Sequence, residues 1–128
     1  MVAWTDYKSE AKRRGALALE LFVAQSTPAK AQENVKACLP DHLAYQAALE
    51  RAGQLAFAGP MSDETGEHMQ GVGMIVYRAD SLAAAQQLAE NDPMHKSGAR
   101  SFVLRRWLIN EGSINLSVGL STGGGNLS

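Results

Sequence analysis

The chain has 128 residues, 45% of them apolar and 20% charged, which suits one domain with one core and excludes an intrinsically disordered chain. No apolar run approaches the roughly 20 residues that a membrane-spanning helix needs. Twelve basic against thirteen acidic residues give a formal charge of -1, which offers no general attraction for nucleic acid.

Taken in chain order, residues 1 to 15 form an N-terminal extension whose Lys12, Arg13 and Arg14 read as a solvated helix face rather than a binding patch. The segment lacks the apolar stretch of a secretory signal. Cys38 is the only cysteine, so no intramolecular disulfide forms, and both features point to a reducing cytoplasm. "ALALELFVAQS" (16 to 26) reads as a buried strand, and "TPAKAQENVKA" as a polar connection, helical in part. Pro40 and Asp41 suit a first helical turn and Gly53 is a stop signal, so a helix is expected over residues 40 to 52. His42, Tyr45, Leu49 and Ala52 form its inward stripe. Cys38, just before it, reads as a small buried hydrophobe, with a nucleophile as the rarer alternative.

"QLAFAGPMS" (54 to 62) and "VGMIVYRA" (72 to 79) read as a hairpin around a polar loop. Gly71 and Gly73 precede a strand rather than a helix, so they do not make a phosphate loop. Ser81 is a good N-cap for a second helix with the stripe Leu82, Ala85, Leu88 and Ala89, which Pro93 stops near Asn91 or Asp92. "ARSFVLRRWLIN" (99 to 110) supplies a fourth strand, and Phe57 and Trp107 read as core. In the tail, "INLSVGL" offers an edge strand before a mobile end. The whole is expected to be a single domain over residues 1 to 128, with its core at about 17 to 110 and a tail over 111 to 128.

The order β-α-β-β-α-β predicts an α+β, ferredoxin-like arrangement, an antiparallel sheet with both helices on one face. That topology brings His42, the strand end with Gly59, Pro60 and Ser62, and the helix end with Asp92 to one end of the fold. A carboxylate at a helix C-terminus faces orphan carbonyls, so Asp92 needs a partner, and His42 can supply one. The helix N-terminus would resist a proton on His42 while Asp92 favours one, as suits a general acid or base. Two readings stand: a catalytic dyad, or a buried structural pair in a non-catalytic ligand-binding or accessory module.

His68 and His95 could join this pair as metal ligands, but the spacing argues against it, and neither metal nor cofactor is expected. His95 is placed at the cleft mouth, or as an exposed loop histidine. Ser62 either contacts substrate or opens the loop. The uncovered sheet face predicts a homodimer.

At "DHLAYQAALERAGQLAFAGPMSDE", "GMIVYRADSLAAAQQLAENDPMHKSGA" and the closing strand with Trp107, the sequence resembles the YCII-related (YciI-like) family. The resemblance runs from "LFVAQS" to "VLRRWLI" and rests on H-L-x7-G-x5-GP with a late D-P. It implies a dimeric α+β barrel with His42 and Asp92 as the catalytic pair, and Gly59 and Pro60 in the cleft wall beside them. Ser62 and His95 complete the expected substrate-binding set. Relatives with assigned chemistry, like the muconolactone-isomerase barrel, act on small ring compounds by proton transfer or elimination, which implies a lyase or isomerase with a small-molecule ligand. The family pattern has a basic residue shortly before the histidine where this chain has "CLPDH", and Lys36 is the candidate to replace it as an anion contact.

Overall fold

The computed structural model describes all of residues Met1 to Ser128. Its backbone divides into two compact units, Glu20–Trp107 and a second made of Met1–Leu19 with Leu108–Ser128.

The larger unit holds the sheet and the site. Strands β1 (Leu19–Pro28), β2 (Leu55–Ser62), β3 (Met69–Tyr77) and β4 (Arg100–Ile109) lie in the order β2-β3-β1-β4. β3 is antiparallel to both of its neighbours, and the arrangement is the expected ferredoxin-like one. Period-two alternation sends Phe22, Ala24, Ile75 and Tyr77 to one face, where they form the core with Leu49, Ala85 and Ala89 of the helices α2 (Gln32–Arg51) and α3 (Leu82–Glu90).

α2 begins eight residues before the expected start at Pro40, which lies inside it. A proline there removes one backbone hydrogen bond and crowds the preceding turn. The helix keeps its course because its inward residues, Tyr45 and Leu49, pack on the core. Its end is as expected: Gly53, at φ 75, follows the cap, and the amide of Gln54 donates to the Leu49 carbonyl at 2.9 Å.

Ser81 caps α3 by accepting from the Ala84 amide at 3.0 Å. α3 stops at Glu90, and a short helix α4 (Pro93–Lys96) follows with Asp92 as its N-cap. Pro93, which cannot continue α3, is well suited to the first position of α4. Asp92 is therefore not the misplaced C-terminal carboxylate expected from the sequence. Its side chain accepts from the Met94 amide at 2.9 Å.

The sheet face away from α2 and α3 buries Leu21 and Val76 on its inner strands and is open along its outer strands. A register shift between Leu55 and Phe57 lets Leu55 join the core while Phe57 turns to that open face beside Val76. Phe57 is 55% exposed, Val103 56% and Trp107 44%, so the expectation that Phe57 and Trp107 are core does not hold.

In the smaller unit, helix α1 (Trp4–Arg13) precedes a turn at Gly15, and the amide of Leu17 donates to the Asn110 carbonyl at 3.1 Å. Lys12, Arg13 and Arg14 are exposed; Arg13 pairs with Glu10, and Arg14 lies over the Tyr7 ring. β5 (Leu116–Val118) does not extend the main sheet as an edge strand. It pairs with β6 (Gly125–Leu127) in a ribbon of its own.

Candidate active site

α2 carries His42 on its inward stripe, and the junction of α3 and α4 presents Asp92 to it. Nδ1 of His42 lies 2.8 Å from both carboxylate oxygens of Asp92. The carboxylate is 1% exposed, whereas the imidazole keeps 15% of its surface open. Two features hold Asp92 in place, the amide of Met94 on Oδ1 and the fixed backbone of Pro93. Since an ionised carboxylate only accepts, Nδ1 is the protonated nitrogen, and Nε2 is left with a lone pair for the cavity. His42 sits ten residues into α2, so the opposing influence of a helix N-terminus is absent. Asp92 alone provides the charge beside the ring.

The cavity has a volume of about 460 Å³ on the helix side of the sheet. Leu39 and Leu43 of α2, Gly59 and Pro60 of β2, and Ile75 of β3 supply much of its apolar wall. Its polar side chains are Ser26, His42, Gln46 and Arg100. Of the residues expected to bind substrate, Gly59 and Pro60 line the cavity with His42, but Ser62 and His95 do not. Ser62 donates to the neighbouring Asp63 carbonyl in an exposed position.

His95 is not at the cleft mouth. It lies behind the cavity with its ring 4.6 Å from that of Phe102, and both its nitrogens are engaged. Nδ1 donates to the Ala89 carbonyl at 2.8 Å, so Nε2, 2.8 Å from Ser26 Oγ, accepts the serine hydroxyl. Burial pushes the His95 pKa below 6.5, outweighing the Ala89 carbonyl and Asp92, which favour the cation, and keeps the ring neutral. Ser26 Oγ in turn accepts from Arg100 Nε at 2.9 Å. Behind the pair, the hydroxyl of wholly buried Tyr77 has no hydrogen-bond partner, and burial, reinforced by Asp92, raises its pKa.

No group of three or more His, Cys, Asp or Glu side chains gathers at metal-binding range. His68 is in the hairpin loop beside Asp63, at 3.7 Å. Cys38 is half-buried, 3.3 Å from Ser97 Oγ, and does not line the cavity. Lys36 is exposed on α2 and does not line it either; Arg100 of β4 is the cation there.

Ser26 and Arg100 escaped sequence reasoning, although a signal existed. Ser26 continues the inward series Phe22 and Ala24, and Arg100 precedes Phe102 and Leu104 in another. A polar residue at an inward strand position either finds a partner or serves a site.

Residues 19–108 match the YCII-related domain family. No curated protein matches the sequence. Among solved structures, the chain is similar to 5-chloro-2-hydroxyhydroquinone dehydrochlorinase (TftG) from Burkholderia phenoliruptrix AC1100, in complex with 2,5-dihydroxybenzoquinone. The TM-score is 0.51 at 22% identity, over 68% of this chain and 92% of that one. At that identity, the likeness establishes the shared fold.

Proposed function

This chain belongs to the YCII-related domain family, and from that premise we propose that it is a small-molecule lyase or isomerase in which His42 moves a proton on a small cyclic substrate. The observation that carries this reading is the asymmetry of the dyad, a sealed carboxylate behind an imidazole whose second nitrogen meets a cavity. In the mechanism, Nε2 takes a proton from the substrate, and Asp92 stabilises the imidazolium that forms while fixing its tautomer. For isomerisation the same nitrogen returns the proton to another atom of the ring. In an elimination, the electron pair released by deprotonation expels the leaving group as an anion, and the proton passes to solvent. Gly59 and Pro60 form part of the wall, and the apolar lining excludes water around the reacting ring.

That the similar dehydrochlorinase is named for a chlorinated hydroxyhydroquinone supports a hydroxylated ring as the substrate type. The test is a turnover screen of small cyclic acids, phenols and halogenated hydroquinones, repeated with Asp92→Asn. The amide donates to Nδ1 and so forces the proton onto Nε2, where a base is needed. A loss of roughly 10² to 10⁴-fold in rate with a retained fold is expected; unchanged turnover overturns the reading.

The working unit of this reading is a homodimer. Phe57, Val103 and Trp107 are exposed large apolar side chains on the outer strands of the face away from α2 and α3, and a second copy of the sheet would cover them. Light scattering should give twice the chain mass, and Trp107→Glu should give the monomer; an unaltered chain that runs as a monomer removes this part of the proposal.

A further inference from the structure

The cavity has a charge that the proton-transfer chemistry of His42 does not use. Its lining contains no carboxylate, and Asp92 behind it is occupied by His42 and the Met94 amide. Arg100 therefore supplies the one cationic guanidinium of a largely apolar hollow, with Asp92 acting on it from behind the lining. The way this side chain is held is also specific. Nε donates to Ser26 Oγ at 2.9 Å and Nη2 to the Ser26 carbonyl at 2.8 Å, with a further hydrogen bond from Nη2 to the Gly71 carbonyl. Nη1 has no hydrogen-bond partner within the chain.

The support for this fork reaches into three elements. His95, tied by Nδ1 to the end of α3, accepts the hydrogen bond of the Ser26 hydroxyl and so leaves a serine lone pair for Arg100 Nε. Gly71 presents its carbonyl from a backbone with φ +89, where a Cβ would lie 2.8 Å from Pro28 Cγ. An L side chain fits neither that conformation nor that space. An arginine that merely joined strands would turn its remaining donors to protein or to bulk solvent. Here the residue lines the same cavity as His42.

We propose that Arg100 is the receptor for a substrate anion, its Nη1 edge binding an ionised ring oxygen (enolate, phenolate or carboxylate) while Ser26 and His95 act as positioning residues. The inference rests on the reading of this cavity as the substrate site, and it narrows the substrate class to small cyclic acids that enter as anions. A guanidinium suits this task because its charge persists at any working pH and its planar donors match the lone pairs of such an oxygen.

A matched pair of rings tests it. At neutral pH 2,5-dihydroxybenzoquinone is a vinylogous acid and binds as an anion, whereas 2,5-dimethoxybenzoquinone keeps the ring without the charge. In calorimetric titrations the unaltered protein should prefer the anion, and Arg100→Gln should cut that preference by roughly 10- to 100-fold while leaving the neutral ring bound as before. Arg100→Lys, which keeps the charge without the fork, should retain part of it. Ser26→Ala should weaken anion binding several-fold and leave the neutral ring unaffected, a split that general loosening of the fold would not give.

The proposal is overturned if Arg100→Gln keeps the full preference, or if the unaltered protein binds neither ring at millimolar concentration. Should that variant fail to fold by circular dichroism, unaltered anion affinity in Arg100→Lys overturns it instead. His42→Gln separates the two readings. Lost turnover with an intact anion preference supports both, whereas retained turnover removes the catalytic role of His42 and leaves Arg100 as an anion site.

Discussion

Two histidines share the neighbourhood of Asp92 and differ in what their second nitrogen meets. His42 gives one nitrogen to a sealed carboxylate and keeps the other for a cavity. His95 spends both on the protein, one on a main-chain carbonyl and one on a serine. In the second case burial holds the ring neutral. Identical side chains thus become a proton carrier and a structural strut through their partners alone. A histidine in a cleft becomes a candidate base only when a lone pair is left over.

The sharpest way to break this comparison is to replace each ring in turn. His42→Gln should lower turnover by roughly 10² to 10⁴-fold, because it removes the only imidazole with a nitrogen left for substrate. His95→Gln should leave the proton-transfer step largely in place and act through stability and anion affinity. Equal losses in rate for both variants would erase the distinction. Next in size comes the anchor of the first histidine. Asp92→Ala removes the cap of α4 and the partner of His42 together, at about 3 kcal/mol, or a fall of roughly 10 °C in melting temperature for a chain of this size. A melt within a degree or two of the unaltered protein would show that the buried carboxylate does not support the fold.

Much of this was legible in the sequence because it depended on local signals. Ser81 as a cap, Pro93 as a break and Gly53 as a stop each act through their own backbone, and each is where it was expected. His42 and Asp92 followed from topology and parity, and they meet. The start of α2 was hidden because Ala31 gives no side-chain cap, while Pro40, tolerated inside the helix, imitates a start. Asp92 has two local meanings, since Asp-Pro marks the end of one helix and is as much a signature for beginning another. The outward turn of Phe57 is hidden because the bulge that causes it has no local signature. The Ser26 and Arg100 contact joins residues 74 apart, and it becomes visible only once β1 and β4 are neighbours in the sheet.

The smallest expected effect is the one that tests the neutral state of His95. Burial lowers its pKa in the folded chain below 6.5, the value for the unfolded one, despite the nearby Asp92 and the Ala89 carbonyl; His42 and Arg100 add to the lowering. Above pH 6.5 both states hold a neutral ring and His95 contributes no pH dependence. As the pH falls below that value, the unfolded chain takes the proton first, so stability drops until the folded-state value is passed, and then the loss levels off. Melting temperatures measured from about pH 7 down to about pH 5 should therefore decline more steeply for the unaltered protein than for His95→Gln. The two proteins differ only at this side chain, so the difference between the two slopes belongs to His95. Equal slopes would mean that the folded protein admits the proton as readily as the unfolded chain, and the ring holding Ser26 toward Arg100 could then not be relied on to stay neutral.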